Sequence, residues 1–182
     1  MKYRRTRKAW NVPHQAHALT FSVSERRPFL LLAGAADAFL NALDEARHEL
    51  RFELWAYVVM PEHVHLVLNP TQESYTMESI LSGIKKRSAK AIFRIHPQVR
   101  EACRVVRLKR NDEFRFWMVG GGYDRNLYSA QEAWEKIHYA HDNPVRRGLC
   151  EDPREYLWSS LRAYRGEQTT IAVDPCPWSV DS

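Results

Sequence analysis

Met60-Pro61-Glu62-His63-Val64-His65-Leu66-Val67-Leu68 is the stretch on which the reading of this chain turns. Apolar side chains and histidines alternate through it, and a β-strand repeats every two residues. His63 and His65 therefore share one face, while Val64 and Leu66 lie on the other. Two imidazoles held side by side on a rigid sheet can each give a nitrogen to one metal ion. Such a pair can equally sit half-buried, each ring satisfied by a polar neighbour. The flanking sequence bears on that choice.

Upstream, Arg51 to Met60 reads as a strand with Phe52, Leu54, Ala56 and Val58 on one face. Trp55, Tyr57 and Val59 make the other face apolar too, which predicts a central strand. Pro61-Glu62 is a very short connection, so His63 to Leu68 should return antiparallel as the edge of a hairpin, ended by Asn69-Pro70. Before it, Ala36, Phe39, Leu40, Leu43, Ala46 and Leu50 recur at helical spacing over residues 35–50. His17 to Val23 alternates as a first strand, broken by Glu25-Arg26-Arg27-Pro28. Residues 1–13 read as a basic arm, either a frayed, solvated terminus or a nucleic-acid contact.

Downstream, Met77, Ile80, Leu81, Ile84, Ser88, Ala91, Ile92 and Ile95 make one stripe of a helix from Thr76 to Ile95, closed by His96-Pro97. Lys85, Lys86, Arg87, Lys90 and Arg94 crowd its other faces. Such a run is ordinarily a solvated helix face, but these cations stand with no acid among them, which points to a phosphate backbone. Short strands are expected at residues 105–108 and 114–118, then a flexible turn at Gly120-Gly121-Gly122. Ser129-Ala130-Gln131-Glu132 is a capping box that opens a further helix. It should run through Tyr139 to Asn143, stop at Pro144, and leave Tyr139 and Asn143 on one face. Gly148 is a further stop signal. Residues 150–182 read as a tail that carries Trp158-Ser159-Ser160 and Tyr164-Arg165-Gly166 and ends in a loosely ordered Pro-rich stretch.

This order predicts one domain over residues 1–182, of α+β class. It is a ferredoxin-like (RRM-like) antiparallel sheet with helices packed mainly on one face. The chain has 182 residues, 45% hydrophobic and 27% charged, as a folded soluble protein does. A formal charge of +5 leans toward a polyanionic partner. Three cysteines without zinc-type spacing suggest reduced thiols. No apolar signal region follows the basic start, and no apolar run reaches membrane length. A cytoplasmic protein with no membrane partner is expected.

A phenol is a poor nucleophile at neutral pH, because its pKa is about 10. It becomes useful where a metal polarises the phosphate under attack. A histidine pair, one more oxygen ligand and a nearby tyrosine can therefore cleave DNA through a covalent phosphotyrosine. That link keeps the energy of the broken bond, so rejoining requires no nucleotide cofactor.

Met60-Pro61-Glu62-His63-Val64-His65 is followed, some seventy residues on, by Tyr139-Ala140-His141-Asp142-Asn143-Pro144-Val145-Arg146-Arg147-Gly148-Leu149 and then Trp158-Ser159-Ser160. Gly122-Tyr123-Asp124-Arg125-Asn126 precedes the tyrosine segment. In this order and spacing the set resembles the REP-associated tyrosine transposases, a branch of the single-tyrosine HUH transposases, over about residues 15 to 165. The resemblance implies that His63 and His65 hold a divalent ion, Mg²⁺ or Mn²⁺. It implies that Tyr139 attacks a phosphodiester of single-stranded DNA, leaving a 5′-phosphotyrosine and a free 3′-hydroxyl. The third ligand position falls on Asn143, with Asp142 as the alternative, and Glu62 stands where it can orient a histidine. His138 and His141 are expected to touch DNA or lie on the surface.

The expected partner is a DNA hairpin with a short single strand beside it. Arg4, Arg5, Lys85, Lys86, Arg87, Lys90, Arg146 and Arg147 are the candidate DNA contacts, and Trp117 and Tyr123 the candidate stacking residues. This branch tends to act as monomers, and the tail after Gly148 could cover a dimer face. Two other readings stand beside this one: a hairpin-binding module that does not cleave, and a metal phosphodiesterase that uses water.

Overall fold

The computed structural model describes residues 11–108, 111–120 and 122–178. Strand β1 (Ala16–Ser22) leads through two short 3-10 turns to helix α1 (Ala35–Leu50). The hairpin β2 (Phe52–Val59) and β3 (His63–Pro70) follows, then α2 (Met77–Ile95) and α3 (Pro97–Ala102). A two-residue ribbon, β4 (Arg104–Val105) and β5 (Glu113–Phe114), stands apart from the main sheet. Strand β6 (Tyr123–Leu127) and helix α4 (Ala130–Arg146) complete the elements. The main sheet is antiparallel throughout, in the order β2-β3-β1-β6. The α+β, ferredoxin-like expectation is met.

Helices α1 and α2 share one face of the sheet. Their buried residues, among them Phe39, Leu43, Ile80 and Ile84, pack on Leu19, Phe21, Leu54, Tyr57, Val64 and Leu66. Helix α4 covers the opposite face, where Ala133 and Ile137 meet Ala16, Ala18, Trp55 and Val67. Two-residue periodicity then fixes which way the histidines point. Val64, Leu66 and Leu68 face α1 and α2, so His63 and His65 face α4.

Four expectations are corrected. Strand β2 is an edge strand and β3 an inner one, the reverse of the predicted arrangement. β2 is apolar on both faces because both are covered, and its outer edge is covered as well. The tail is ordered through Trp178 and takes up the outward backbone groups of β2. Leu54 N–H donates to Asp174 Oδ2 (2.8 Å) and Leu54 O accepts from Asp174 N–H (2.8 Å). Tyr57 N–H reaches Ser160 Oγ (2.9 Å) and Val59 N–H the Trp158 carbonyl (2.9 Å). Tyr164 and Tyr156 hydroxyls donate to the carbonyls of Trp55 (2.6 Å) and Val59 (2.8 Å). Left bare, such an edge would pair with another chain.

The alternation expected along β2 is also interrupted. Its pairing with β3 shifts between Leu54 and Ala56, a bulge that brings Tyr57 and Val59 onto the same face as Phe52 and Leu54. Finally, α4 does not stop at Asn143. Pro144 lies inside the helix, which runs on to Arg146. Proline's φ suits a helix, and its missing N–H removes one bond near the end of the last turn. Asn143 steadies that turn by donating from Nδ2 to the Tyr139 carbonyl (2.6 Å), and Gly148, at φ +66, provides the left-handed turn that ends it.

The fourth sheet strand, β6, was not foreseen. Tyr123-Asp124-Arg125-Asn126-Leu127 is mostly polar because it lies at the sheet's other edge. It pairs with β1 from Ala16↔Leu127 to Thr20↔Tyr123. Gly122, at φ +70, is required at its entry, since a Cβ there would collide with the Thr20 carbonyl oxygen.

Candidate functional site

The hairpin turn at Pro61-Glu62 fixes where β3 begins and so places His63 and His65 beneath α4. Both rings are buried, and their Nε2 atoms face one another at 3.0 Å. Each Nδ1 is held from behind. His63 Nδ1 lies 3.1 Å from Glu62 Oε1, and His65 Nδ1 lies 2.9 Å from Thr20 Oγ1 on the neighbouring strand. Glu62 is buried, and the same oxygen receives Arg147 at 3.0 Å and Arg26 at 3.2 Å.

The electrostatics favour neutral rings. Burial pushes His65 down to about 3, with the neighbouring His63 adding to the effect. Burial also lowers His63, against the pull of the Glu62 carboxylate. At Glu62 burial works against the charge, but His63, Arg147 and Arg26 outweigh it and hold the carboxyl below its ordinary range. Two neutral imidazoles are thus presented with their Nε2 atoms converging.

These residues fit a divalent ion. Nitrogens 3.0 Å apart match adjacent corners of an octahedron whose bonds are about 2.1 Å. Partners on each Nδ1 are the usual second layer of such a site. Among the described residues no cluster of three or more histidine, cysteine or carboxylate side chains completes the set. Asn143 is buried one turn beyond Tyr139, whereas Asp142 is exposed.

Tyr139 stands against His65. Its ring is edge-on to His65, with centroids 6.0 Å apart and planes at 86°. It is 45% exposed, so a ligand can reach it. Two cations flank the ring: the Arg146 guanidinium at 5.1 Å from its centroid and Lys136 Nζ at 5.6 Å. Lys136 also lies 5.6 Å from the centroid of Tyr123, which is exposed on the edge strand β6. The sequence reading missed Lys136. Its spacing of three before Tyr139, on the same helix face, was the available signal.

Other expectations fall elsewhere. Lys85, Lys86, Arg87 and Lys90 lie on α2, across the sheet from the histidines. Lys85 holds the Met118 and Gly120 carbonyls (3.1 and 2.7 Å), and Arg87 is paired with Glu49. Lys86 and Lys90 are exposed there. Arg147 lies beside the site, bound to Glu62. Trp117 is a core residue rather than a stacking platform, buried against Phe21 and Phe39 with its Nε1 donating to Ser88 Oγ (3.0 Å). His141 is neither a surface residue nor a DNA contact, because it is buried with Nε2 2.8 Å from Ser160 Oγ. Arg4 and Arg5 lie outside the described residues.

Fold and site together define an α+β protein whose sheet offers paired histidines to a tyrosine on a facing helix. The chain belongs to the IS200-like transposase family, whose model matches residues 12–121. That span carries both histidines and ends before α4. In fold the chain is similar to a REP-associated tyrosine transposase whose structure was solved bound to a REP hairpin. The TM-score is 0.68 at 19% identity, covering 98% of this chain and 95% of that one. It is also similar to a candidate transposase from Deinococcus radiodurans R1, with a TM-score of 0.50 at 20% identity, covering 79% of this chain and 97% of that one. No curated protein matches it. Among the described residues no helix is long and apolar enough to cross a membrane.

Proposed function

We propose that this transposase cleaves and rejoins single-stranded DNA beside a hairpin, with Tyr139 as the nucleophile and a divalent ion, Mg²⁺ or Mn²⁺, held by His63, His65 and Asn143. The observation that carries the reading is the 3.0 Å approach of the two histidine Nε2 atoms, with the Tyr139 ring in edge contact with His65. The ion would polarise a phosphoryl oxygen of the substrate. Asn143 would supply its amide oxygen, since its Nδ2 is engaged with the Tyr139 carbonyl. Tyr139 Oη forms a bond to phosphorus as the bond to the 3′-oxygen breaks, and the phenol proton ends on the released 3′-hydroxyl. Lys136 and Arg146, both close to the ring, oppose the negative charge gathering on the phosphoryl group. Reversal of the same step rejoins the strand.

The hairpin partner is supported by the family and by the DNA-bound relative of the same fold. A monomer is supported by the tail, which occupies the backbone groups of β2 through which two sheets would otherwise join. The test is to incubate the chain with labelled hairpin DNA and Mn²⁺, then separate the products under denaturing conditions. A protein–DNA adduct that forms with Mn²⁺ and is lost in His63→Ala is expected. Mn²⁺-dependent cleavage without an adduct would favour hydrolysis by water. Hairpin binding without cleavage would make the chain a binding module.

A further inference from the structure

Glu62 Oε1 gathers three donors from three separate parts of the chain. These are His63 Nδ1 at 3.1 Å, Arg147 at the end of α4 at 3.0 Å, and Arg26 from the turn after β1 at 3.2 Å. Both arginines are about half exposed while the carboxylate is buried, so the pair holds Glu62 in place without sealing it. An ionised carboxylate only accepts hydrogen bonds. For a neutral His63 the bond can therefore exist in one way, with the proton on Nδ1 and a lone pair on Nε2.

The partner of His65 is different in kind. A threonine hydroxyl both donates and accepts. With the Nε2 atoms 3.0 Å apart, two lone pairs facing each other would repel, so one of the rings must carry its proton there. Glu62 forbids that at His63, which leaves His65. Thr20 then donates to His65 Nδ1 across 2.9 Å, and by turning its O–H it can accept there instead.

We propose that Glu62 is a positioning residue that locks His63 in the Nδ1–H form, while Thr20 is a rotor that lets His65 exchange its proton between nitrogens as a cation arrives. The exchange leaves the charge of the ring unchanged, solvent water taking the proton from Nε2 and returning one to Nδ1. His65 loses the Nε2 proton and gains one on Nδ1, the hydroxyl of Thr20 changing from donor to acceptor. This inference rests on the metal reading of the site, yet its first half concerns the protein without metal.

The test is long-range ¹H–¹⁵N correlation on the histidine rings of the metal-free protein at pH 8, with Mn²⁺ affinity measured alongside. Wild type should show His63 as Nδ1–H and His65 as Nε2–H. Glu62→Gln, whose amide oxygen still accepts, should keep His63 as Nδ1–H. Glu62→Ala should mix the His63 forms and weaken Mn²⁺ binding on the order of 10- to 100-fold. Addition of diamagnetic Mg²⁺ should move the His65 proton to Nδ1 in wild type and, less completely, in Thr20→Val. His63 found as Nε2–H, or His63 forms and Mn²⁺ affinity unchanged in Glu62→Ala, would overturn the proposal. Wild type that fails to bind Mn²⁺ while its His63 form still depends on Glu62 would overturn the metal reading alone.

Discussion

Tyr139 and His65 meet edge to face across the gap between α4 and the sheet, with ring centroids 6.0 Å apart. The contact joins residues far apart in the chain, one on an inner strand and one on the helix that covers the histidine face of the sheet. It places a half-exposed phenol against a buried imidazole whose Nε2 meets that of His63. The chemistry proposed for the chain depends on that arrangement surviving while DNA enters.

The cations divide by face. Lys136→Ala and Arg146→Ala should each slow adduct formation and flatten the salt dependence of single-strand binding by about 0.7 in log–log slope. Lys86→Ala and Lys90→Ala, across the sheet, should leave the rate of adduct formation unchanged. Binding titrations at several salt concentrations, with single-turnover rates, check this. Equal effects from both faces would mean that the strand wraps the sheet.

The tail should act as an edge guard. Removing residues 150–182 exposes the N–H and C=O groups of β2 and should lower stability and produce self-association, read by sedimentation. Asp174→Ala removes the acceptor of Leu54 N–H and a partner of Arg47, and should cost about 1–2 kcal/mol in a denaturant titration. A truncated chain that stays monomeric and equally stable would contradict the guarding role.

Acid should destabilise the fold through its buried histidines. Burial lowers His141 from its ordinary 6.5 to about 4, with His138 adding to the effect. Between those values the unfolded chain binds a proton that the folded ring refuses, so stability falls as pH falls. The slope approaches about 1.4 kcal/mol per pH unit within that window and flattens below it. His65, lowered to about 3, extends the window. Thermal unfolding from pH 7 to 4 should show the decline, and His141→Gln should make it shallower. An unchanged slope in that variant would show that His141 does not carry its share.

Much of this was legible because it is local. The helix over residues 35–50 is found at those bounds, since its apolar spacing and its packing agree. Ser129 caps α4 by accepting from Glu132 N–H, as the capping box predicts. The histidine face followed from two-residue periodicity alone. What was hidden depends on contacts distant in sequence. The edge position of β2 could not be read, because the tail that covers it lies about a hundred residues away. The same holds for His141, whose burial depends on Ser160, and for Trp117, which closes the core against β1. Lys85 looked like a phosphate contact until its carbonyl partners in the glycine turn were seen. Strand β6 was missed because an edge strand need not be apolar. Pro144 misled for a different reason: proline near the end of a helix costs only one hydrogen bond, and the helix continues past it to Arg146.

The central claim is that Tyr139 forms the covalent link. The most direct measurement is to trap the adduct on labelled hairpin DNA with Mn²⁺, digest it, and locate the modified residue by mass spectrometry, with Tyr139→Phe run beside wild type. The account predicts a phosphonucleotide on Tyr139, no adduct from the variant, and near-native stability for it, since the half-exposed ring is retained. A modified Tyr123 or Tyr128, or an adduct of equal yield from Tyr139→Phe, would contradict it.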